Sequence, residues 1–382
     1  MLIGIDASRA FVAQRTGTET YSLQLIRAWQ RLAGPAMRLY TNGVAAADVA
    51  RSLGRADSVL PPHMTVANLP WPRLWTHMRL SFEMACRPPD VLFVPAHVLP
   101  LIHPRRTVVT VHDLGYLRYP EAHRSADRRY LDWSTRWNAR HATVVLADSQ
   151  ATKDDLVRAC GVDPAKVRVV YLGRDETLGP VQDASTLAAV RERYGIAGRY
   201  LLYVGTLQPR KNLARVIEAF GRVADWPAFA DVQLVLAGKH GWLYEDLFGQ
   251  TARAGLSGRV IFPGYVAEAD LPGLLSAALA FVFPSLHEGF GIPVLEAGAC
   301  GVPVITSNTS SLPEVAGDAA LLVDPHDVDA IAEAMYRLVT DAGLRAELAR
   351  RGRENVKRFS WEKCARETLA VLEAVGKRKT DK

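Results

Sequence analysis

Cysteine is scarce in this chain of 382 residues. The four present (Cys86, Cys160, Cys300, Cys364) are widely spaced with no C-x-x-C pair, so no disulfide framework is expected and reduced cytosolic thiols are the reading. Long hydrophobic runs are also lacking. The longest apolar stretch, Leu274–Phe283, is too short to span a bilayer and stops at Pro284. A cationic leader is missing too: MLIGIDAS is interrupted by Asp6, and no signal peptide is expected there. No fixed-period repeat is visible, and no low-complexity segment beyond the basic Lys377–Lys379. What remains is an ordinary globular composition, 49% apolar and 23% charged, in a chain long enough for two domains.

Charge is distributed unevenly. Residues 1–175 carry 23 Lys and Arg against 15 Asp and Glu, a net of +8, whereas residues 176–382 carry 23 against 25. A basic half beside a near-neutral half points to an anionic partner for the first: nucleic acid, a phosphorylated acceptor or an acidic membrane surface.

Short apolar runs alternate with longer helical segments, the pattern of βαβ units around parallel sheets. Strands are expected at 2–7, 91–94, 107–111, 143–147 and 167–171, then at 200–204, 232–237, 260–262, 279–283, 302–306 and 320–323. The first helix is expected over 18–32, with Tyr21, Leu25 and Leu32 on one face. Periodicity fades from Gly173 to about Ser185, which suits a linker. The expected fold class is therefore α/β, with two doubly wound Rossmann-like domains facing across a cleft. The domains would span 1–175 and 176–363, with a C-terminal helix at about 364–382 packing back on the first. Ligands of such sheets lie at the carboxyl ends of the strands.

Most informative is SLHEGFGIPVLEAGACGVPV, residues 285–304. Glu288 follows an expected strand, and Glu296 falls in the first turn of the helix after it. Gly289 and Gly291 permit a sharp turn and close approach to a ligand, and Pro293 suits a first helical turn. Carboxylates in an apolar setting need partners; beside a helix N-terminus they suit sugar hydroxyls and an anion. A role for Glu296 in merely complementing the helix dipole is the plainer alternative. GFGIPV also half-resembles a dinucleotide fingerprint, but Val294 stands where its third glycine would be.

In YVGTLQPRKNL (203–213), Gly205 and Thr206 end a strand, Arg210 and Lys211 bring cations to a loop, and Asn212 reads as an N-cap. Such cations would stabilise a departing diphosphate. In the first half, RTGTETYSLQL (15–25) places Gly17 before a helix, while TVVTVHDLGY (107–116) puts His112 and Asp113 at a strand end. His97 follows another strand, in VPAHVLPL. Asp327-Val328-Asp329 spells D-x-D, a metal-binding motif elsewhere, but here it opens a helix and reads as an N-cap with a first-turn acid. A helix at about 123–139 carries Arg124, Arg128, Arg136 and Arg140 on one side. Its Tyr130, Trp133 and Trp137 form an aromatic stripe, expected to face the core; the alternative is that, with Arg105, Arg106, Arg118 and Arg129, it holds a lipid-diphosphate acceptor at an anionic surface.

The spacing of Glu288 and Glu296 within EGFGIPVLEAGACGVPVI resembles the E-x7-E signature of family-4 retaining glycosyltransferases, which have the GT-B fold. ADSQATKDDL (147–156), KVRVVYLGRD (166–175) and SSLPEVAGDAALLVDP (310–325) resemble further segments of that family, in order, over nearly the whole chain. Thr206 departs from the family pattern, which often has Arg there, and Gly17 stands where two glycines are common. The resemblance implies a nucleotide-sugar donor as substrate, retention at the anomeric carbon, and no cofactor or obligatory metal. It implies that Glu288, with the backbone of Gly289, Phe290 and Gly291, holds the donor sugar. Glu296 would accept from ribose hydroxyls, Lys211 and Arg210 would neutralise the diphosphate with help from Gly205, Thr206 and Gly17, and His112 would meet a sugar hydroxyl. His97 and Asp113 would touch the acceptor.

The SSLPEV and PRKN forms resemble mannosyltransferase-like members, which favours GDP-mannose with a UDP-sugar as the alternative. The acceptor would be a saccharide or lipid-linked sugar, at a cytoplasmic site with peripheral contact to an anionic membrane on the inner face of the plasma membrane. Two other classes were weighed. An epimerase or phosphorylase-like enzyme on the same frame would need epimerase acids or a pyridoxal lysine, and neither stands out. A basic nucleic-acid-binding protein would need a binding module, and none is recognisable, so nucleic acid is not an expected partner.

Overall fold

The computed structural model describes residues 1–12, 17–96, 98–120, 125–239, 241 and 245–377. His97, Arg124 and the part of RTGTETYSLQL before Gly17 lie outside them. The chain divides into two compact units, Met1–Gly173 together with the segment from Phe359, and Arg174–Arg358. The return to the first unit thus begins at Phe359, ahead of the expected 364.

The first unit is built on seven parallel strands: β1 (Leu2–Asp6), β2 (Ala36–Thr41), β3 (Met64–Asn68), β4 (Val91–Val94), β5 (Thr107–Val111), β6 (Val144–Ala147) and β7 (Val167–Val169). Their order is β3-β2-β1-β4-β5-β6-β7. β4, β5 and β6 are buried along their whole length, as parallel strands covered by helices on both faces must be, hence their near-continuous apolar runs. β2 and β3 were not anticipated. Arg38 breaks the apolar run of β2, and β3, at the sheet edge, is interrupted by Thr65 and ends on Asn68.

The helix Gly17–Trp29 follows β1 and buries Tyr21, Leu25 and Trp29 at four-residue spacing. It packs on the C-terminal helix Trp361–Lys377, where the Trp29 indole donates to the Ala365 carbonyl at 2.9 Å. The same helix starts against Gly173, where a Cβ would stand 2.2 Å from the Trp361 nitrogen. Only glycine fits that approach.

The second unit carries six parallel strands: β8 (Arg199–Val204), β9 (Val232–Ala237), β10 (Val260–Gly264), β11 (Ala280–Phe283), β12 (Val304–Ser307) and β13 (Ala320–Val323). They are ordered β10-β9-β8-β11-β12-β13. In each sheet the winding direction reverses once, between β1 and β4 in the first and between β8 and β11 in the second. Loops leaving the carboxyl ends of such a strand pair diverge and leave a crevice. The loops after β8 and β11 contain PRKN and HEGFG.

Candidate active site

The loop after β8 and the loop after β11 are fastened together residue by residue. The Leu286 amide donates to the Arg210 carbonyl at 2.9 Å, and Arg210 Nη1 donates to the His287 carbonyl at 2.9 Å. Asn212 Nδ2 donates to the carbonyls of Pro284, at 3.1 Å, and Pro325, at 2.6 Å. Asn212 stands at the expected N-cap position of the helix Leu213–Val223, but its side chain makes no cap hydrogen bond. Its backbone is left-handed (φ 64°), and its side chain faces away from the helix start to bind neighbouring loops. Asparagine tolerates that conformation better than most residues.

Within this frame Lys211 Nζ lies 2.6 Å from Glu288 Oε1, and Arg210 Nη1 lies 3.7 Å from Glu288 Oε2. The ammonium of Lys211 also stands over the Phe283 ring, 4.9 Å from its centroid. The Lys211 and Glu288 side chains keep only 11% and 9% of their exposure. Burial alone would raise the Glu288 pKa, but the charges of Lys211 and Arg210 overcome it and hold the carboxyl below its ordinary value. One buried carboxylate thus holds two cations at the reversal point of the sheet.

The backbone around Glu288 is held from the next strand's loop. Its amide donates to Ser310 Oγ at 3.1 Å, and Ser311 Oγ donates to the carbonyls of Glu288, at 2.9 Å, and Phe290, at 2.6 Å. Ser310 is left-handed (φ 55°), which costs a non-glycine residue energy and is characteristic of functional loops. Gly291 has φ 114°, and a Cβ there would meet Leu312 at 2.8 Å, so the turn requires glycine. Gly205 (φ 155°) ends β8 beside an exposed Thr206.

Glu296 is on the second turn of the helix Ile292–Ala299 rather than the first, too far along to complement the helix dipole. It is half-buried, and burial, followed by the charges of Asp175 and Glu268, pushes its pKa up to about 7. Among the described residues its carboxylate has no hydrogen bond or ion pair. The D-x-D is structural: Asp327 Oδ1 accepts from the Ala330 amide at 3.0 Å as a helix cap, and Asp329 pairs with Arg222.

In the first unit, His112 follows β5. Its Nδ1 is 2.7 Å from Asp148 Oδ2, after β6, and its Nε2 is 2.9 Å from the Pro95 carbonyl, after β4. Both partners offer oxygen acceptors, a setting that favours the doubly protonated ring. Burial would lower its pKa, but the charge and hydrogen bond of Asp148, then the Pro95 carbonyl, raise it. Both ring nitrogens are thus held by neighbouring strand ends, which fixes the orientation of the ring. Asp113 Oδ1 accepts from the Gly115 amide at 2.9 Å, closing a turn. Gly17 is exposed at the first position of its helix, with open space where a Cβ would point.

Sequence reasoning missed Asp148, Ser310 and Ser311 as working residues. Asp148 had a signal, a carboxylate at a strand end in line with His112. The two serines had none beyond the SSLP segment itself.

Residues 191–355 match the family model described as glycosyl transferases group 1, and residues 15–178 match glycosyltransferase family 4. The chain is 36% identical over 265 residues to the O-antigen chain mannosyltransferase B of Escherichia coli, covering 69% of each chain. It is 30% identical over 271 residues to the serotype-specific mannosyltransferase WbdA of Escherichia coli, covering 69% of this chain but 32% of that longer one. The crystal structure of Anabaena HepE in complex with UDP and glucose superposes with a TM-score of 0.73 at 20% identity, covering 98% and 99% of the two chains.

Proposed function

This chain belongs to the group 1, family-4 glycosyltransferases of GT-B fold, and we propose that it is a retaining, metal-independent mannosyltransferase. Its donor would be GDP-mannose and its acceptor a saccharide or lipid-linked hydroxyl, reached in peripheral contact with an anionic membrane. The observation that carries this reading is the Lys211–Glu288–Arg210 cluster at the reversal point of the second sheet. The mannose assignment is supported by mannosyltransferases among its relatives.

When the anomeric C–O bond breaks, the leaving nucleoside diphosphate gains negative charge. Lys211 and Arg210 are already desolvated and fixed where that charge develops, which is the arrangement that lowers a barrier most. Glu288 keeps them in place and offers its oxygens to the hydroxyls of the donor sugar, while Gly291 lets the loop turn closely around it. Glu296, with no protein partner among the described residues, is the proposed acceptor for the two ribose hydroxyls. In the first unit, Asp113 is assigned to the acceptor side and His112, oriented by Asp148, to the reaction centre beside the donor sugar.

Transfer from GDP-mannose, followed by proton NMR of the new linkage, tests the reading directly. The expected product has the donor's anomeric configuration, and the rate is unchanged in excess chelator. An inverted product, or activity lost to chelator and restored by manganese, contradicts it. Asp327→Asn is expected to leave the rate intact.

Glu296 makes donor binding depend on pH. Only its ionised form accepts from both hydroxyls, and its pKa is about 7. Donor affinity is therefore expected to rise about tenfold between pH 6 and pH 8. Titration calorimetry across that range checks the slope, which should flatten in Glu296→Gln. An equal slope in the variant would remove Glu296 from the donor site.

A further inference from the structure

The first unit has an apolar face that stays exposed among the described residues. Leu74, just ahead of the helical run that spans Thr76–Leu80 and Ser81–Cys86, and Met78 and Phe82 within it recur every four residues and are 69%, 55% and 63% exposed. Two other segments join them. The His77 ring meets Trp133 and Tyr130 of the helix Ser125–His141, with centroids 5.5 and 6.4 Å apart, and the Ile102 amide donates to Ser81 Oγ at 3.3 Å. Tyr130, Trp133 and Ile102 are themselves exposed, at 47%, 41% and 52%. This overturns the expectation that the aromatic stripe faces the core; of its members only Trp137 packs there.

Contiguous exposed apolar surface with a polar rim marks an interaction site. Here the rim is basic. Arg73 precedes Leu74, Arg105 follows Ile102 by three residues and Arg129 lies one turn before Trp133, all of them exposed, and Arg79 stands over the Phe82 ring at 5.9 Å. The acids nearby are largely accounted for: Glu83 is buried against Arg79 and Asp132 pairs with Arg136, leaving Asp127 exposed.

We propose that this face is the surface by which the protein lies on an anionic lipid bilayer. Leu74, Met78 and Phe82 would enter the acyl boundary, Tyr130 and Trp133 would sit at the headgroups, and the arginines would meet lipid phosphates. Large apolar side chains with aromatic and cationic neighbours are the composition that binds in the plane of an interface. Charge decides against the other obvious occupant, a second copy of the same face. A two-fold contact would set one basic rim against another, whereas an anionic surface is complementary to both the rim and the +8 balance of residues 1–175. The assignment deepens the membrane part of the function proposed above and rests on that part alone.

Co-sedimentation of the full chain with phosphatidylglycerol and with phosphatidylcholine vesicles tests it. Binding is expected to phosphatidylglycerol only and to weaken with salt. In Met78→Ser/Phe82→Ser, whose side chains are already exposed, the partition coefficient should fall at least about tenfold. Arg73→Gln/Arg129→Gln should weaken it by about tenfold or more, since each basic residue near such a surface adds roughly 1 kcal/mol. Wild-type protein that stays in the supernatant overturns both the surface and the membrane reading. Wild-type binding undiminished in Met78→Ser/Phe82→Ser overturns this surface and leaves the membrane reading standing. A dimer that dissociates in that variant, without vesicle binding, assigns the face to self-association instead. Glycosyl transfer to a soluble acceptor, measured in parallel, reports separately on the proposed reaction and should be unchanged in both double variants.

Discussion

Lys211→Ala is expected to lower kcat/KM by about 10²–10³-fold, the scale of losing one preorganised donor to a developing oxyanion. The variant removes two things at once, because Lys211 is also the 2.6 Å partner of a buried carboxylate. Breaking a buried ion pair by removing one member typically costs about 3–5 kcal/mol. A melting curve alone would therefore confuse lost stability with lost chemistry. The double variant Lys211→Ala/Glu288→Gln separates them. With the uncompensated charge gone, part of the stability should return, whereas activity should stay at least as low. Glu288→Gln alone should also lose at least about tenfold in turnover, since it frees the two cations from their holder and withdraws a charged acceptor from the sugar. Steady-state kinetics beside thermal melts of all three variants decide the matter. Near-wild-type turnover in Lys211→Ala would remove the diphosphate role altogether.

Gly238→Ala is expected to be the most damaging single-methyl change in the second unit. Gly238 ends β9 with φ 146°, and its amide donates to the Gly264 carbonyl at 2.7 Å. A Cβ would stand 1.9 Å from the carbonyl oxygen of Gly205, itself at φ 155°. Neither backbone can yield without loosening the end of β8, from which the Arg210–Lys211 loop departs. Strain at a glycine-only backbone position together with overpacking should cost about 3 kcal/mol or more. For a unit of this size that is roughly a 6–12 °C drop in melting temperature. A wild-type melting curve would show that the strand ends shift more freely than their packing implies. Gly17→Ala is the matching control, because the methyl meets open space and favours the helix.

The strands that carry the site were readable because buried parallel strands are continuous apolar runs. β4, β5, β9 and β13 begin and end where the runs do. Glu288 and Lys211 were readable as separate residues, each in a loop after a strand, but their pairing was not. It depends on β8 lying next to β11, a fact of strand order that no local pattern carries. Asn212 was placed at a helix start correctly, but residue type could not show that its side chain would bind the Pro284 and Pro325 carbonyls instead of the helix. His112 was found and half understood, since its role depends on Asp148 and Pro95 from the two flanking strands. The stripe of Tyr130, Trp133 and Trp137 shows the limit of periodicity. Spacing places three aromatics along one side of a helix but cannot say whether the protein covers that side.

The return of the chain at Phe359 has a consequence for synthesis. The first unit lacks its last helix until Trp361–Lys377 leaves the ribosome, after all of Arg174–Arg358 has been made. The second unit, contiguous in the chain, can therefore collect all its strands and fold while the first still waits. During that interval the face of Gly17–Trp29 that Trp361–Lys377 will cover, Trp29 included, stays open to water. Domains fold as units during translation, and an apolar face left open in the meantime invites aggregation. The nascent first unit, rather than the catalytic one, is then where a chaperone holdase should act.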